Sequence, residues 1–237
     1  MELLQILAPE LKRPTLNREV MVLIKDGGEE EGCSMSPETN AKWNELFDTL
    51  NELLNEKIQD DEIRQLYEEY QHREGASEQS LNAIETEYDV RLPEDFRAFY
   101  KRKDGSGYAF HILYPGDAEA EECNPFYLMS LKEIRETKQY FCEVDEKLDE
   151  YYSDEEISKL DPKIKPYLFH KAWIPFATMA GGSIYLMLDF DPTEKGTYGQ
   201  VIMYVHDPDF VYYVSETFTD LLEVSNRNLK IMDEIEY

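Results

Sequence analysis

The order in which helical and strand-like patterns follow one another constrains this chain most. Trp43, Leu46, Phe47, Leu50, Leu53, Leu54 and Ile58 recur at three- and four-residue intervals, the spacing of one helical stripe. Thr39 or Asn40 stands where that helix needs its cap. Asp60, Asp61 and Glu62 open a second helix, with Ile63, Leu66, Tyr67 and Tyr70 on one face. Acids in a first turn suit the positive end of the helix dipole, and Gly75 ends the helix. Ser77 caps a third helix carrying Leu81, Ile84, Tyr88 and Val90. Pro93 suits the first turn of a fourth, where Phe96, Phe99 and Tyr100 face inward until Asp104-Gly105-Ser106-Gly107 stops it. Strand signals then take over. Tyr108 to Tyr114 alternates in strand fashion, and Pro115-Gly116 turns the chain. Trp173 to Met179, Ile184 to Phe190, Gln200 to His206 and Val211 to Val214 read as further strands. Ser215 caps a last helix with Phe218, Leu221, Leu222 and Val224 inward. Helices, then a meander of strands, then a helix predict an α+β fold with an antiparallel sheet.

The segments between these elements are acidic or short. Residues 117–125 read as an acidic loop. Ser130-Leu131-Lys132-Glu133 has the form of a capping box and opens a helix to about Cys142. Glu143 to Glu156 holds eight acids and one Lys, and its Ser153-Asp154-Glu155-Glu156 is a second capping box. Near the start, Val20-Met21-Val22-Leu23-Ile24 suits a short buried strand or a stretch packed on the main domain, and Gly27 to Gly32 a loop.

Charge narrows the partners. The 237-residue chain carries 51 acidic and 24 basic residues, a formal charge of −27. Nucleic acid and anionic lipid both need a basic footprint, so such a surface repels them. It attracts basic proteins and speeds encounter with them, although acidity also serves solubility alone. With 42% apolar residues the chain can still bury a sizeable core. Cys33, Cys123 and Cys142 are odd in number and widely spaced, which argues against a disulfide framework and a structural zinc site. Met1 to Leu7 is apolar but short and lacks a basic flank, so no signal peptide is expected. No stretch of about 18 uncharged apolar residues suggests a membrane span, and the expected location is the cytoplasm.

Catalytic constellations are missing. His72, His111, His170 and His206 form no HxH or HExxH pattern, and His111 reads as a core histidine. His206 and Asp207 are adjacent on a strand and point to opposite faces, so they do not pair. Asp189, Asp191 and Glu194 have a faint calcium-loop rhythm without its central Gly and terminal Glu. The glycines at 105, 107, 181 and 182 are too sparse to cradle phosphate. No catalytic residue, metal or cofactor is expected. The acidic stretch reads either as a solvated surface or as a steering patch for a basic partner, and the Tyr pair inside it suits an interface anchor. The candidate contact residues are Glu119, Glu121, Glu122, Glu143, Asp145, Glu146, Asp149, Glu150, Tyr151, Tyr152, Asp154, Glu155 and Glu156.

One longer pattern is specific in combination. It runs Trp173-Ile174-Pro175-Phe176-Ala177, Gly181-Gly182, Leu188-Asp189-Phe190-Asp191-Pro192, Lys195-Gly196-Thr197, Gly199-Gln200-Val201-Ile202 and Ser215-x-x-Phe218. Upstream stand Ile84-Glu85, Leu92-Pro93-Glu94-Asp95-Phe96-Arg97, Asp104-Gly105, and Leu131 with Glu133-Ile134. Together these resemble the SUKH superfamily, which includes yeast cell-wall-assembly regulators and many bacterial toxin-immunity proteins. The resemblance spans about residues 77–228, so the expected division is a helical extension at 1–75 and a SUKH-like domain at 76–237. It implies a twisted, mostly antiparallel sheet packed with helices, and protein binding without catalysis. The resulting expectation is an immunity protein, a monomer or weak dimer, that neutralises a basic, nuclease-type toxin. The alternative is a regulatory scaffold for several cellular proteins. Relatives often carry an Asp-Gly-x-Gly-Asn/Asp-like turn where this chain has Met179-Ala180-Gly181-Gly182-Ser183, so a ligand role for that turn's carboxylate does not transfer.

Overall fold

The protein is described from a computed structural model that covers residues 36–117, 122–141, 144–179 and 181–235. The readings of Val20–Ile24 and Gly27–Gly32, together with Cys33, Cys142, Glu119, Glu121 and Glu143, lie outside the described residues.

Four helices come first. Helix α1 (Pro37–Lys57) is capped by Ser36, whose hydroxyl accepts from the Thr39 amide at 3.1 Å. The expected cap at Thr39 or Asn40 is therefore displaced, because Pro37 sits in the first turn, where its fixed φ and missing N–H cost nothing. Helix α2 (Asp61–His72) is capped by Asp60. It ends before Gly75, whose role is instead a close approach of backbones. A Cβ there would lie 1.9 Å from the Lys101 carbonyl oxygen, so only glycine lets the two segments meet. Helix α3 (Glu78–Tyr88) has the Ser77 cap and ends on Asp89 at φ 52°. Helix α4 (Glu94–Arg102) follows Pro93.

The sheet strands are β1 (His111–Leu113), β4 (Phe126–Leu128), β7 (Trp173–Thr178), β8 (Ile184–Asp189), β9 (Gln200–Val205) and β10 (Phe210–Ser215), with β2 (Gly116–Asp117) and β3 (Glu122–Cys123) forming a hairpin between β1 and β4. The six sheet strands lie in the order β1-β4-β7-β8-β9-β10, every neighbour antiparallel. The strand expected over Tyr108–Tyr114 is shorter because Gly107 at φ 99° and Ala109 at φ 59° break the extended run. The expected 117–125 loop contains the hairpin instead. Helix α5 (Leu131–Phe141) carries the expected Ser130/Glu133 capping box. Helix α7 (Phe218–Ile231) is capped by Thr217 in a box with Asp220, and not by Ser215, which β10 claims by pairing it with Val201.

Both sheet faces are covered. On one, Ile174, Phe176, Leu186, Leu188 and Val201 meet the helices. Phe96 stacks on Tyr100 at 4.5 Å and meets Phe176 and Phe218 edge-on, and Trp43 and Phe47 of α1 close on Phe99. Helices α1 and α2 thus share one core with the sheet, and the described residues form one compact unit. On the other face, Trp173, Met187, Ile202, Tyr204 and Val211 are buried beneath residues 146–169. That cover contains β5 (Glu146–Lys147), a 3-10 turn (Leu148–Glu150), α6 (Asp154–Ile157) and β6 (Tyr167–Phe169). The period-2 alternation of β8 and β9 sends successive residues to the two cores, whereas in β7 a register shift between Pro175 and Ala177 leaves Phe176 and Ala177 both on the helix side.

Candidate protein interface

The acidic stretch is the outer side of that cover. Leu148, Ile164 and Leu168 are buried and Tyr152, Ile157 and Leu160 pack beside them, while Asp149, Glu150, Asp154, Glu155 and Glu156 face solvent. Ser153 and Glu156 form the expected capping box. Hydrogen bonds from Ser153 hold the Glu156 carboxyl below its usual range, so it stays ionised. Tyr151 is 57% exposed, and its hydroxyl donates to Glu146 at 3.0 Å. The structure therefore gathers Asp145 to Glu156 on one layer. Glu122 lies apart from it, in the β2–β3 hairpin whose Cys123 packs with the helical core.

Tyr152 links the acids to the β9–β10 turn. Its ring meets Phe210 edge-on at 5.7 Å, and Phe210 meets Tyr212 at 5.4 Å. Its hydroxyl donates to the Asp209 carbonyl. The three rings form a shelf beside a 240 Å³ hollow. Tyr212 is 45% exposed. Phe210 and Tyr212 were not among the expected contact residues, Tyr212 being read only as part of a strand, although two aromatics on a strand next to a turn are a usable signal.

A buried polar network fixes the base of this layer. His170, only 5% exposed, places Nδ1 2.7 Å from Asp145 and Nε2 2.9 Å from Asp191. Its ring stacks on Tyr167 at 4.2 Å and meets Trp173 edge-on. Lys165 bonds Asp191 at 2.5 Å, and the Lys171 amide donates to Asp145. Asp191 donates its amide to Asp189, which is fully buried and also accepts from the Trp173 indole at 3.0 Å and from Gln200 at 2.9 Å. Asp189 and Asp191 are thus engaged within the chain, and among the described residues no group of three His, Cys, Asp or Glu is placed to hold a metal. Burial pushes the Asp189 carboxyl up. Partial burial also pushes Asp145 up, but hydrogen bonds from Lys171 and His170 outweigh it and hold Asp145 at about 2.

That shift has a sign. A carboxyl lowered in the folded state stabilises it above the unfolded pKa of about 3.9 and loses that contribution as pH falls towards 2. Acid unfolding followed by tryptophan fluorescence is expected to show a loss of stability between about pH 4 and pH 2, and Asp145→Asn is expected to flatten it. An unchanged acid limb in the variant would contradict the assignment.

His72, exposed on α2, lies with Nδ1 2.7 Å from the Glu68 carbonyl oxygen. His206 does not pair with its neighbour Asp207; it lies 2.7 Å from Asp209, which also accepts from Tyr204. His111 is buried, and burial pushes it down to about 4, so it is neutral near pH 7. No helix among the described residues is long and apolar enough to cross a membrane.

Leading helices, a six-stranded antiparallel sheet and a closing helix define an α+β domain whose second sheet face is roofed by the short elements between residues 146 and 169. The model of the SMI1 / KNR4 family (SUKH-1) matches residues 75–224, and the chain belongs to that family. Comparison with curated proteins gives no match.

Proposed function

We propose that the protein is a non-enzymatic, cytoplasmic binding module, an immunity protein that neutralises a cognate toxin with a basic, nucleic-acid-holding surface. The observation that carries this reading is the solvent-facing row Asp149, Glu150, Asp154, Glu155 and Glu156 beside exposed Tyr151, on a layer anchored to the sheet. The acids steer a basic partner, and the aromatic side chains supply contact area at low entropic cost. Family membership supports a protein-binding role and accommodates the scaffold reading equally.

Co-expression with a cognate secreted toxin is expected to give survival and co-purification. Co-purification of several cellular proteins, without protection from any toxin, would favour the scaffold. Neutralising Glu150, Asp154 and Glu155 together is expected to slow association about tenfold and to reduce its salt dependence, with little change in dissociation. Stopped-flow mixing at two ionic strengths reads both quantities, and unchanged rates would remove the steering role.

A further inference from the structure

We infer that the hollow beside the aromatic shelf receives a single cationic side chain, an arginine, presented by the protein partner. This deepens the binding-module reading and rests on it. The hollow is lined by Tyr152, Glu156, Lys159, Pro208, Phe210 and Tyr212. Its 240 Å³ lies below the roughly 300–1,000 Å³ of small-ligand pockets, which suits one side chain. The rings are held in place: Tyr152 is tied to the Asp209 carbonyl, and Phe210 packs against the second core. A preorganised aromatic surface loses little entropy when it is covered.

Charge selects the occupant. Glu156 is on the rim and ionised, and Asp209 lies against the Tyr152 hydroxyl with its own carboxyl held low by Tyr204 and His206. Lys159 shares the rim and offsets Glu156, while the exposed Asp154 and Glu155 of α6 and the chain's net charge of −27 make the surrounding surface acidic. A flat guanidinium stacks on the ring faces and reaches a carboxylate at once, whereas an ammonium is more strongly hydrated. An apolar side chain gains nothing from the acidic surround, and an anionic one is repelled by it.

The test titrates the full chain with N-acetyl-arginine amide, N-acetyl-lysine amide and N-acetyl-citrulline amide at millimolar concentration and 0.15 M salt. Aromatic carbon–proton NMR signals are the readout. The expected result is shifts centred on Tyr152, Phe210 and Tyr212, at least threefold weaker binding for the lysine compound, and none for citrulline, which keeps the shape and lacks the charge. Tyr212→Ser, at an exposed position, is expected to abolish the response while the fold persists. Shifts spread over the whole acidic surface, or equal responses to arginine and citrulline, would overturn the inference. A partner that binds Phe210→Ala and Tyr212→Ser undiminished would also overturn it while leaving the binding-module reading intact. Arginine binding at the shelf without toxin protection would have the opposite meaning.

Discussion

Trp173→Ala is expected to lower unfolding free energy by about 4 kcal/mol, the usual cost of removing a fully buried Trp. The indole fills the core beneath the acidic cover, and its N–H is one of three donors on the fully buried Asp189. Truncation therefore opens a cavity and weakens the satisfaction of a carboxylate away from water. Trp173→Phe keeps most of the packing and loses the donor, so it is expected to cost about 1–2 kcal/mol. Urea unfolding of the two variants separates cavity from hydrogen bond. Equal losses would assign the whole effect to the donor.

His170→Ala is expected to cost about 2–3 kcal/mol. Breaking a buried charged contact costs about 3–5 kcal/mol, and the partial exposure of Asp145 and Asp191, at 34% and 43%, moderates it through solvent screening. A neutral imidazole donates to one carboxylate and a protonated ring to both, so either state ties the cover to the sheet. Without the ring, the two carboxylates lose the group that lies between them. His170→Phe keeps the stacking on Tyr167 and isolates the polar part. The effect should be local as well as global. Amide exchange is expected to speed up at Lys171, bonded to Asp145, and at Leu148, bonded to Pro166, before it changes in β8. Uniform acceleration across the sheet would show that the network does not hold the cover specifically.

The helices were legible because each writes a stripe of inward residues into local sequence: Trp43 to Ile58 names α1, and Phe96, Phe99 and Tyr100 name α4. The long strands β7, β8 and β9 were legible as apolar runs bounded by Gly, Pro and Asp turns, the form a strand takes when both its faces are buried. Errors arose where two residues could do one job. Ser215 and Thr217 both cap helices, and only the pairing of Ser215 with Val201 decides between them. The cover was legible as an acidic surface but not as a roof, because its inward residues are irregularly spaced between 148 and 168. The His170 network was out of reach for a further reason. Asp145 and Asp191 lie 25 and 21 residues from His170, on separate loops, and no spacing rule connects them. The shelf is of the same kind: Tyr152 meets Phe210 across 58 positions of chain, a contact only the folded hairpin creates.

The cover divides its labour residue by residue. Leu148, Ile164 and Leu168 hold it down, while Asp149, Glu150, Asp154 and Glu155 touch no core at all. Substitutions at the second group leave the first undisturbed, so they are nearly silent for folding. Those outer positions can change one at a time, each step carried on an unaltered scaffold. The outward half of residues 144–169 can therefore take on new surface chemistry without passing through unfolded intermediates.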